Sequence, residues 1–417
     1  MKVLVIGGGG REHAIADALS RSPQVDRLYC APGNAGIAQI AQCVPISECE
    51  VDALLAFARE NAVDLTVVGP EASLAAGVVD AFRAAGLKIF GHTKAATAIE
   101  SSKEFAKALM FKYGIPTAGY RSFSDYGQAL EYVSSRPFPA VLKYDGLAAG
   151  KGVVIAQSLQ EAEEALKSML LDASFGKGKV VVEDFLSGPE FSFMCFVEGR
   201  NVYPMPLSQD HKRAYDGDLG PNTGGMGAYT GLPFITEEDR EFALREILCK
   251  TADAMVEEGL PLSGVLYGGL MKTQDGVKVI EFNARFGDPE TEVVLPALES
   301  DASDIFLAVA KGKAPSEPLR WSDAPTLGVV LASKGYPGSY QKGAPIRIPS
   351  GLKSRIFHMG TRRGEGGELL TGGGRVMMLV AQGQTLQEAR EAVYADIARV
   401  DCPNLFCRKD IAHWALD

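Results

Sequence analysis

VLKYDGLAAGKGVVIA, Val141 to Ala156, sets two lysines around a glycine-rich loop and closes on a β-branched apolar run. A P-loop reads G-x-x-x-x-G-K-[ST] and opens a helix, whereas here Gly146 to Gly150 is one residue short and glycine follows Lys151. The loop therefore joins two strands, a hairpin whose tip exposes backbone N–H groups near Lys143 and Lys151. That arrangement suits phosphate; a surface hairpin with solvated lysines fits this segment equally well by itself.

Upstream, strand and helix alternate: strand Val3 to Ile6, helix Glu12 to Ser20, strand Arg27 to Cys30, helix Val51 to Glu60, strand Leu65 to Val68, helix Leu74 to Ala85 and strand Lys88 to Phe90. Such alternation predicts a doubly wound parallel sheet. The first turn, GGGGREH, departs from a dinucleotide fingerprint, because Glu12 stands where the third glycine belongs and APGNAG follows the second strand in place of a ribose-binding acid. NAD is excluded on this reading, while the turn still offers an anion seat that Arg11 reinforces, or simply a tight strand-to-helix bend. A helix over 95–113 carries Lys103, and Gly114 and Pro116 stop it. Around the opening hairpin, strand 117–122, helix 126–134, helix 159–171 and the strand in KVVVEDFLSG make a compact lid. Beyond Gly188 the pattern is antiparallel: EFSFMCFVEG sets Glu190, Ser192 and Met194 against Phe191, Phe193 and Cys195, with Phe191, Phe193 and Phe196 read as core. A long helix, 238–258, precedes two strands joined at Asp275-Gly276. The charged, proline-bearing stretch 311–326 is a linker, after which strands 327–333 and 375–381 and helix 386–397 predict a smaller α/β domain.

At 417 residues, 46% hydrophobic and 23% charged, the chain has the make-up of a soluble enzyme of several domains. No apolar run reaches the ~20 residues a bilayer needs, and the amino terminus enters a strand without a leader, so the expected location is cytoplasmic, with no membrane partner. The 7 cysteines are scattered without a C-x-x-C pair and read as reduced thiols. A net charge of -10 repels polyanions, which excludes nucleic acid as a partner and requires local cationic clusters for any anionic substrate.

Two segments concentrate the chemistry. In KVIEFNARFGDPETE, Glu281 and Asn283 stand two apart on a strand, so their oxygens face one side as hard ligands for Mg²⁺, or as ordinary polar residues of a wet face. Arg285, Asp288 and Glu290 crowd charge of both signs at the next turn, which favours a site for a zwitterion or a developing phosphoryl group. SQDHKRAYDGDLGPNTGGMGAY combines Asp210, His211, Lys212 and Arg213 with a long loop in which Asn222, Thr223, Gly224 and Gly225 bring backbone amides near phosphate. His211 is a possible base, though a lone histidine in a charged loop more often orients its neighbours.

Together with IESSKEFAKALMFKYGIPTA and the ending FCRKDI, these strings resemble the glycinamide ribonucleotide synthetase (phosphoribosylamine-glycine ligase) family of the ATP-grasp superfamily, in order, from GGGGREHA to Ile411. The resemblance implies an α/β and α+β, ATP-grasp fold: a Rossmann-like domain over 1–102, a central domain over 103–119 and 190–324, a lid over 120–189 and a C-terminal domain over 325–417. It implies that ATP, glycine and 5-phosphoribosylamine give glycinamide ribonucleotide, ADP and phosphate through glycyl phosphate, with Mg²⁺ (replaceable by Mn²⁺), in a monomer or weak dimer.

By matching position, Lys103, Lys143 and the loop with Gly146, Gly150, Lys151 and Gly152 would hold the ATP phosphates, joined by Asn222 and Thr223. Glu183, Phe185 and Leu186 would bracket adenine and Glu190 the ribose; Glu281 and Asn283 would bind the metal. Arg285, Lys212, Asp210, Asp288 and Glu290 are the catalytic expectations, the last two near the substrate amines. Gly9, Gly10, Arg11, Glu71, Gly224, Gly225 and Pro289, with Asp288 and Glu290, would face the substrates, and Arg408 and Lys409 are weaker choices for the phosphoribosylamine side. Tyr144 replaces a small residue usual beside the lysine and is expected to reshape that space; Ala412 stands where glycine is common. Another ATP-grasp carboxylate-amine ligase and a non-catalytic nucleotide-binding protein are the alternatives.

Overall fold

β1 (Lys2–Gly7), β2 (Arg27–Pro32), β3 (Gln42–Cys43), β4 (Leu65–Val68) and β5 (Ile89–Phe90) form one sheet in the order β3-β2-β1-β4-β5, and its pairings are all parallel. The computed structural model describes residues 1–146, 152–172, 174, 176, 178–316 and 318–416. β1 is apolar throughout because both of its faces are covered. Leu4 and Ile6 face the outer helices, whereas Val3 and Val5 share a core with Met194, Phe196 and Val265 of a second, larger sheet. Strand alternation thus welds the first sheet onto the rest of the molecule.

Two helices expected as single are broken. Gly77, at φ +86, separates Glu71–Ala76 from Val78–Ala84. Ser102, in extended conformation, separates Ala98–Ser101 from Lys103–Tyr113 and caps the second with its Oγ, which accepts from the Phe105 N–H. Lys103 therefore opens a helix instead of sitting inside one.

The lid is an antiparallel sheet of β6 (Tyr120–Phe123), β7 (Ala140–Tyr144), β8 (Val153–Ala156) and β9 (Val180–Asp184), ordered β6-β9-β7-β8. The opening stretch is the β7–β8 pair, with Lys143 opposite Val153 and Ala140 opposite Ala156. Helices Tyr126–Ser134 and Leu159–Leu166 back this sheet over Leu142, Val133, Leu166 and Val182.

The remaining strands are β10 (Glu190–Glu198), β11 (Asn201–Pro204), β12 (Ser208–Asp210), β13 (Arg213–Tyr215), β14 (Leu219–Asn222), β15 (Gly227–Thr230), β16 (Ser263–Thr273), β17 (Gly276–Asn283), β18 (Thr326–Ser333), β19 (Arg355–His358), β20 (Thr361–Arg363), β21 (Leu369–Thr371), β22 (Arg375–Gln382) and β23 (Leu405–Phe406). Ten of them share one sheet along β17-β16-β10-β12-β15-β18-β22-β19, with β11 beside β10 and β23 beside β18. The stretch after the linker, expected as a smaller domain, thus extends this sheet: β18 pairs antiparallel with β15 and covers what would be an open edge. β10 is buried on both faces, since Phe191, Phe193 and Cys195 enter the helix-backed core while Met194 and Phe196 meet the first sheet. No helix among the described residues is long and apolar enough to cross a membrane.

Candidate active site

Lid and large sheet enclose a cavity of about 300 Å³. One end is apolar, walled by Val141, Ile155, Phe185, Leu186 and Leu270; the other carries the charges. Glu281 and Asn283 stand side by side on β17 and both reach the wall, as the strand period of two requires. Burial would push the Glu281 carboxyl up, but Lys103, Lys143, Lys212 and Arg285 outweigh it and hold the group below its ordinary range, ionised at neutral pH. An ionised carboxylate beside an amide oxygen fits an ion that keeps several waters and borrows phosphate oxygens.

Lys143 Nζ donates to the Ile280 carbonyl at 2.8 Å and lies 3.0 Å from Glu183 Oε1. One of the three ammonium protons is bonded to that carbonyl, and the others are left to the ion pair with Glu183 and to the cavity. Glu183, expected at the adenine, also meets Lys107 Nζ at 2.8 Å through Oε2. Its carboxylate is a counter-ion shared by two lysines, which leaves only its backbone for a base. Lys107 is saturated: it donates to Thr117 Oγ1 at 2.8 Å and to the Ala118 carbonyl at 3.2 Å as well. Lys103 donates to the Glu100 carbonyl at 3.0 Å and adds its charge near Glu281.

Lys212 Nζ bridges Glu190 Oε2 at 2.8 Å and Asp210 Oδ1 at 3.1 Å, and all three line the cavity. Arg285 is held from behind by Glu100 at 3.2 Å and Glu71 at 3.4 Å, and its Nη2 donates to Asn283 Oδ1 at 3.3 Å. Asp288 pairs with Arg375 at 2.9 Å. Glu290 Oε1 accepts from Tyr267 OH at 2.8 Å and Ser192 Oγ at 3.0 Å. Thr223 returns to Lys212 through its N–H at 2.7 Å and its Oγ1 at 2.8 Å, which sets Asn222, Thr223 and Gly224 in the wall. Gly225, at φ +107, passes so close to Pro289 that a Cβ would sit 2.4 Å from its ring.

The amino-terminal turn adjoins this charged end without entering it. A Cβ on Gly9 would lie 3.6 Å from Asp288 Oδ2, and one on Gly10 would lie 2.3 Å from Glu292 Oε1. Arg11 is buried and engaged with Glu12 at 2.6 Å and the Phe286 carbonyl at 3.1 Å, so its role is to seat the turn against the Phe286 backbone. Gly146 and Gly152 flank the hairpin tip, and Tyr144 N–H donates to the Gly152 carbonyl at 2.7 Å; Gly150 and Lys151 lie outside the described residues.

Other expectations are displaced. Tyr144 follows the alternation of β7 away from Lys143 and fills the lid core. Arg408 is captured by Asp218 and Asp410, both at 2.8 Å, and Lys409 N–H donates to Asp216 Oδ1 at 2.7 Å, so both clamp the β13–β14 hairpin. Arg213 donates to Gly220 on the same hairpin. His211 Nε2 accepts from the Ala412 N–H at 2.9 Å, which puts its proton on Nδ1. With Arg408 on Asp218 as well, the nearby group of His211, Asp218 and His413 is a hydrogen-bonded clasp and not a metal site.

Sequence reasoning missed Lys107, Glu100, Ser192, Tyr267 and Arg375. Two left a signal: Lys107 stands four residues past Lys103 on one helix face, and Ser192 shares a strand face with Glu190.

Residues 1–100 match the N domain of phosphoribosylglycinamide synthetase, 101–291 its ATP-grasp (A) domain and 326–414 its C domain. The chain is 51% identical to the phosphoribosylamine–glycine ligase of Halalkalibacterium halodurans, covering 100% of this chain and 97% of that protein. It is 50% identical to that of Listeria innocua, covering 99% of both. The crystal structure of the phosphoribosylamine–glycine ligase of Thermotoga maritima superposes with a TM-score of 0.86 at 34% identity, covering 99% of this chain and 100% of that one. With its three matched regions in order and half its residues shared along the whole length, the chain belongs to the phosphoribosylglycinamide synthetase family of ATP-grasp ligases.

Proposed function

We propose that the cavity joins glycine to 5-phosphoribosylamine at the expense of ATP, giving glycinamide ribonucleotide, ADP and phosphate for purine biosynthesis. The observation that carries this reading is a slot with an apolar end for a base and, at its other end, Lys143 with a spare proton, Lys212, Arg285 and an ionised Glu281 beside Asn283.

A carboxylate is a poor electrophile, so an amine cannot displace its oxygen until phosphorylation supplies a leaving group. The glycine oxygen attacks the γ-phosphorus, ADP departs and glycyl phosphate forms; the protein's part is alignment and neutralisation of spreading charge. Lys143 and Lys212 meet the phosphates, and Arg285, aimed by Glu71 and Glu100, steadies the carboxylate under transfer. The family uses a divalent metal with ATP, and Glu281 and Asn283 would hold one, Mg²⁺ with Mn²⁺ able to replace it, to add positive charge at the phosphate oxygens. Asp288 and Glu290 lie beside the amines.

The test is ADP release with glycine and freshly generated phosphoribosylamine, each omitted in turn. Full turnover only with both supports the reading. Turnover on another acid would favour a different carboxylate-amine ligase, and a melting shift with Mg-ATP but no turnover would favour a binding module.

A further inference from the structure

The second half of this reaction needs a proton acceptor. The amine that attacks the glycyl carbonyl gains a positive charge on nitrogen and must lose a proton for the amide to persist. The cavity wall supplies seven carboxylates, five of them in ion pairs and a sixth, Glu281, set among four cations. Glu183 serves Lys107 and Lys143, Asp184 pairs with Arg136, Glu190 and Asp210 share Lys212, and Asp288 pairs with Arg375. Glu281 lies among four cationic side chains.

Glu290 is the exception. It is 3% exposed, and its hydrogen-bonding side-chain partners among the described residues are two neutral hydroxyls, Tyr267 OH and Ser192 Oγ, which are themselves 2.7 Å apart. Both hydroxyls sit on Oε1, and Oε2 has no side-chain partner among the described residues.

Resting on the ligase reading above, we propose that Glu290 is the general base of amide formation, and that Tyr267 and Ser192 are the positioning residues that aim it. As the amine nitrogen bonds to the glycyl carbon, the carbon–oxygen bond to phosphate breaks, phosphate leaves with the electron pair, and the ammonium proton passes to Glu290 Oε2. The groups facing Glu290 are Asp210 and Lys212 from the β12 side, Ser192 on β10, Tyr267 on β16, Asp288 and Glu292 on its own turn, and Arg375 on β22. Burial and then Asp210 push its carboxyl up, against the opposing bond from Tyr267, toward the range in which a base works at neutral pH. A carboxylate locked against an arginine or lysine would be a weaker base.

The experiment separates the two half-reactions in the full-length protein. Wild type is first shown to release ADP with glycine and phosphoribosylamine; failure here refutes the ligase reading itself. Glu290→Gln, which is isosteric, is expected to lower phosphoribosylamine-dependent ligation by about 10²–10⁴-fold. With hydroxylamine in place of phosphoribosylamine, a nucleophile whose nitrogen needs little help from a base, the same variant should still form glycine hydroxamate. Loss of neither reaction, or equal loss of both, overturns the assignment. Tyr267→Phe and Ser192→Ala extend the test should the first variant fold poorly. Each removes a donor from the ionised form, raises the Glu290 pKa, and should move the acid limb of kcat to higher pH. Lower kcat with that limb unmoved would mark both hydroxyls as packing only and overturn their part.

Discussion

Replacing Lys107 by methionine tests how the phosphate end of the cavity is charged. Lys107 is 2% exposed and does not itself line the cavity, yet it takes half of Glu183, whose other oxygen faces Lys143. Two cations on one carboxylate leave one net positive charge for the nucleotide; in Lys107→Met the charge of Lys143 is fully compensated. A unit charge acting over ~8 Å at an effective dielectric of about 20 is worth roughly 2 kcal/mol, so the KM for ATP should rise by about 30-fold. The fold should lose about 3 kcal/mol, the low end of the cost of breaking a buried pair: Glu183 Oε2, Thr117 Oγ1 and the Ala118 carbonyl all lose a donor, but Lys143 still faces the carboxylate and Thr117 keeps its own bond to the Val279 carbonyl. ADP release against ATP concentration reads the first number and urea denaturation the second. Burial, and then repulsion from Lys143, lower the Lys107 pKa to about 8 despite Glu183. The wild-type KM for ATP should therefore climb as pH passes 8, while that of the variant stays flat. The sign for stability is opposite: between about 8 and the ordinary 10.5 the unfolded chain binds the extra proton, so this group makes the wild type more stable as pH rises through that window. A KM within twofold of wild type in a folded Lys107→Met protein would refute the reasoning.

Acid should unfold the protein steeply. His13 is lowered to about 3 by burial and then by His358, while His92 and His358 are lowered to about 4, mainly by burial. At these three sites the unfolded chain takes up protons that the native one refuses as pH falls below 6.5, a contribution of roughly 4 kcal/mol per pH unit that the raised carboxyls of Glu198, Glu290 and Glu292 offset in part; stability should fall between pH 6 and 5, and His92→Gln should make that fall shallower by roughly 1.4 kcal/mol per pH unit. Glu281→Gln should raise the Mg²⁺ concentration needed for half-maximal ADP release by about tenfold or more, and an unchanged Mg²⁺ titration would remove this residue from the metal. Ala62, exposed and at φ +49 just past the helix Val51–Glu60, occupies a left-handed position that glycine fills without strain; Ala62→Gly should stabilise by roughly 0.5–1 kcal/mol, seen as a higher urea midpoint.

The fold was legible wherever local chemistry decides it. β-branched runs marked the strands, Asp275-Gly276 marked the β16–β17 turn, and the spacing of Glu281 and Asn283 placed both oxygens on one face. Helix breaks at Gly77 and Ser102 were not legible, because a left-handed glycine and a serine cap look like ordinary members of an apolar pattern until the chain turns. The supporting shell was hidden for a different reason: its contacts cross the topology. Arg375 reaches the Asp288 carbonyl from a strand 87 residues away, and Tyr267 meets Ser192 only because β10 and β16 pair. Arg408 and Lys409 misled because a basic pair near the end of the chain says nothing about the aspartates waiting for it.

That β18 completes the large sheet has a consequence for synthesis. While a nascent chain emerges at about 5–20 residues per second, β15 is made many seconds before the strand that closes its flank. During that interval its unpaired amides face the ribosomal surroundings, open to any extended segment that passes. A chain ended by a premature stop at the proline-bearing, charged tether ahead of β18 would leave the nucleotide-facing half built but its seam raw.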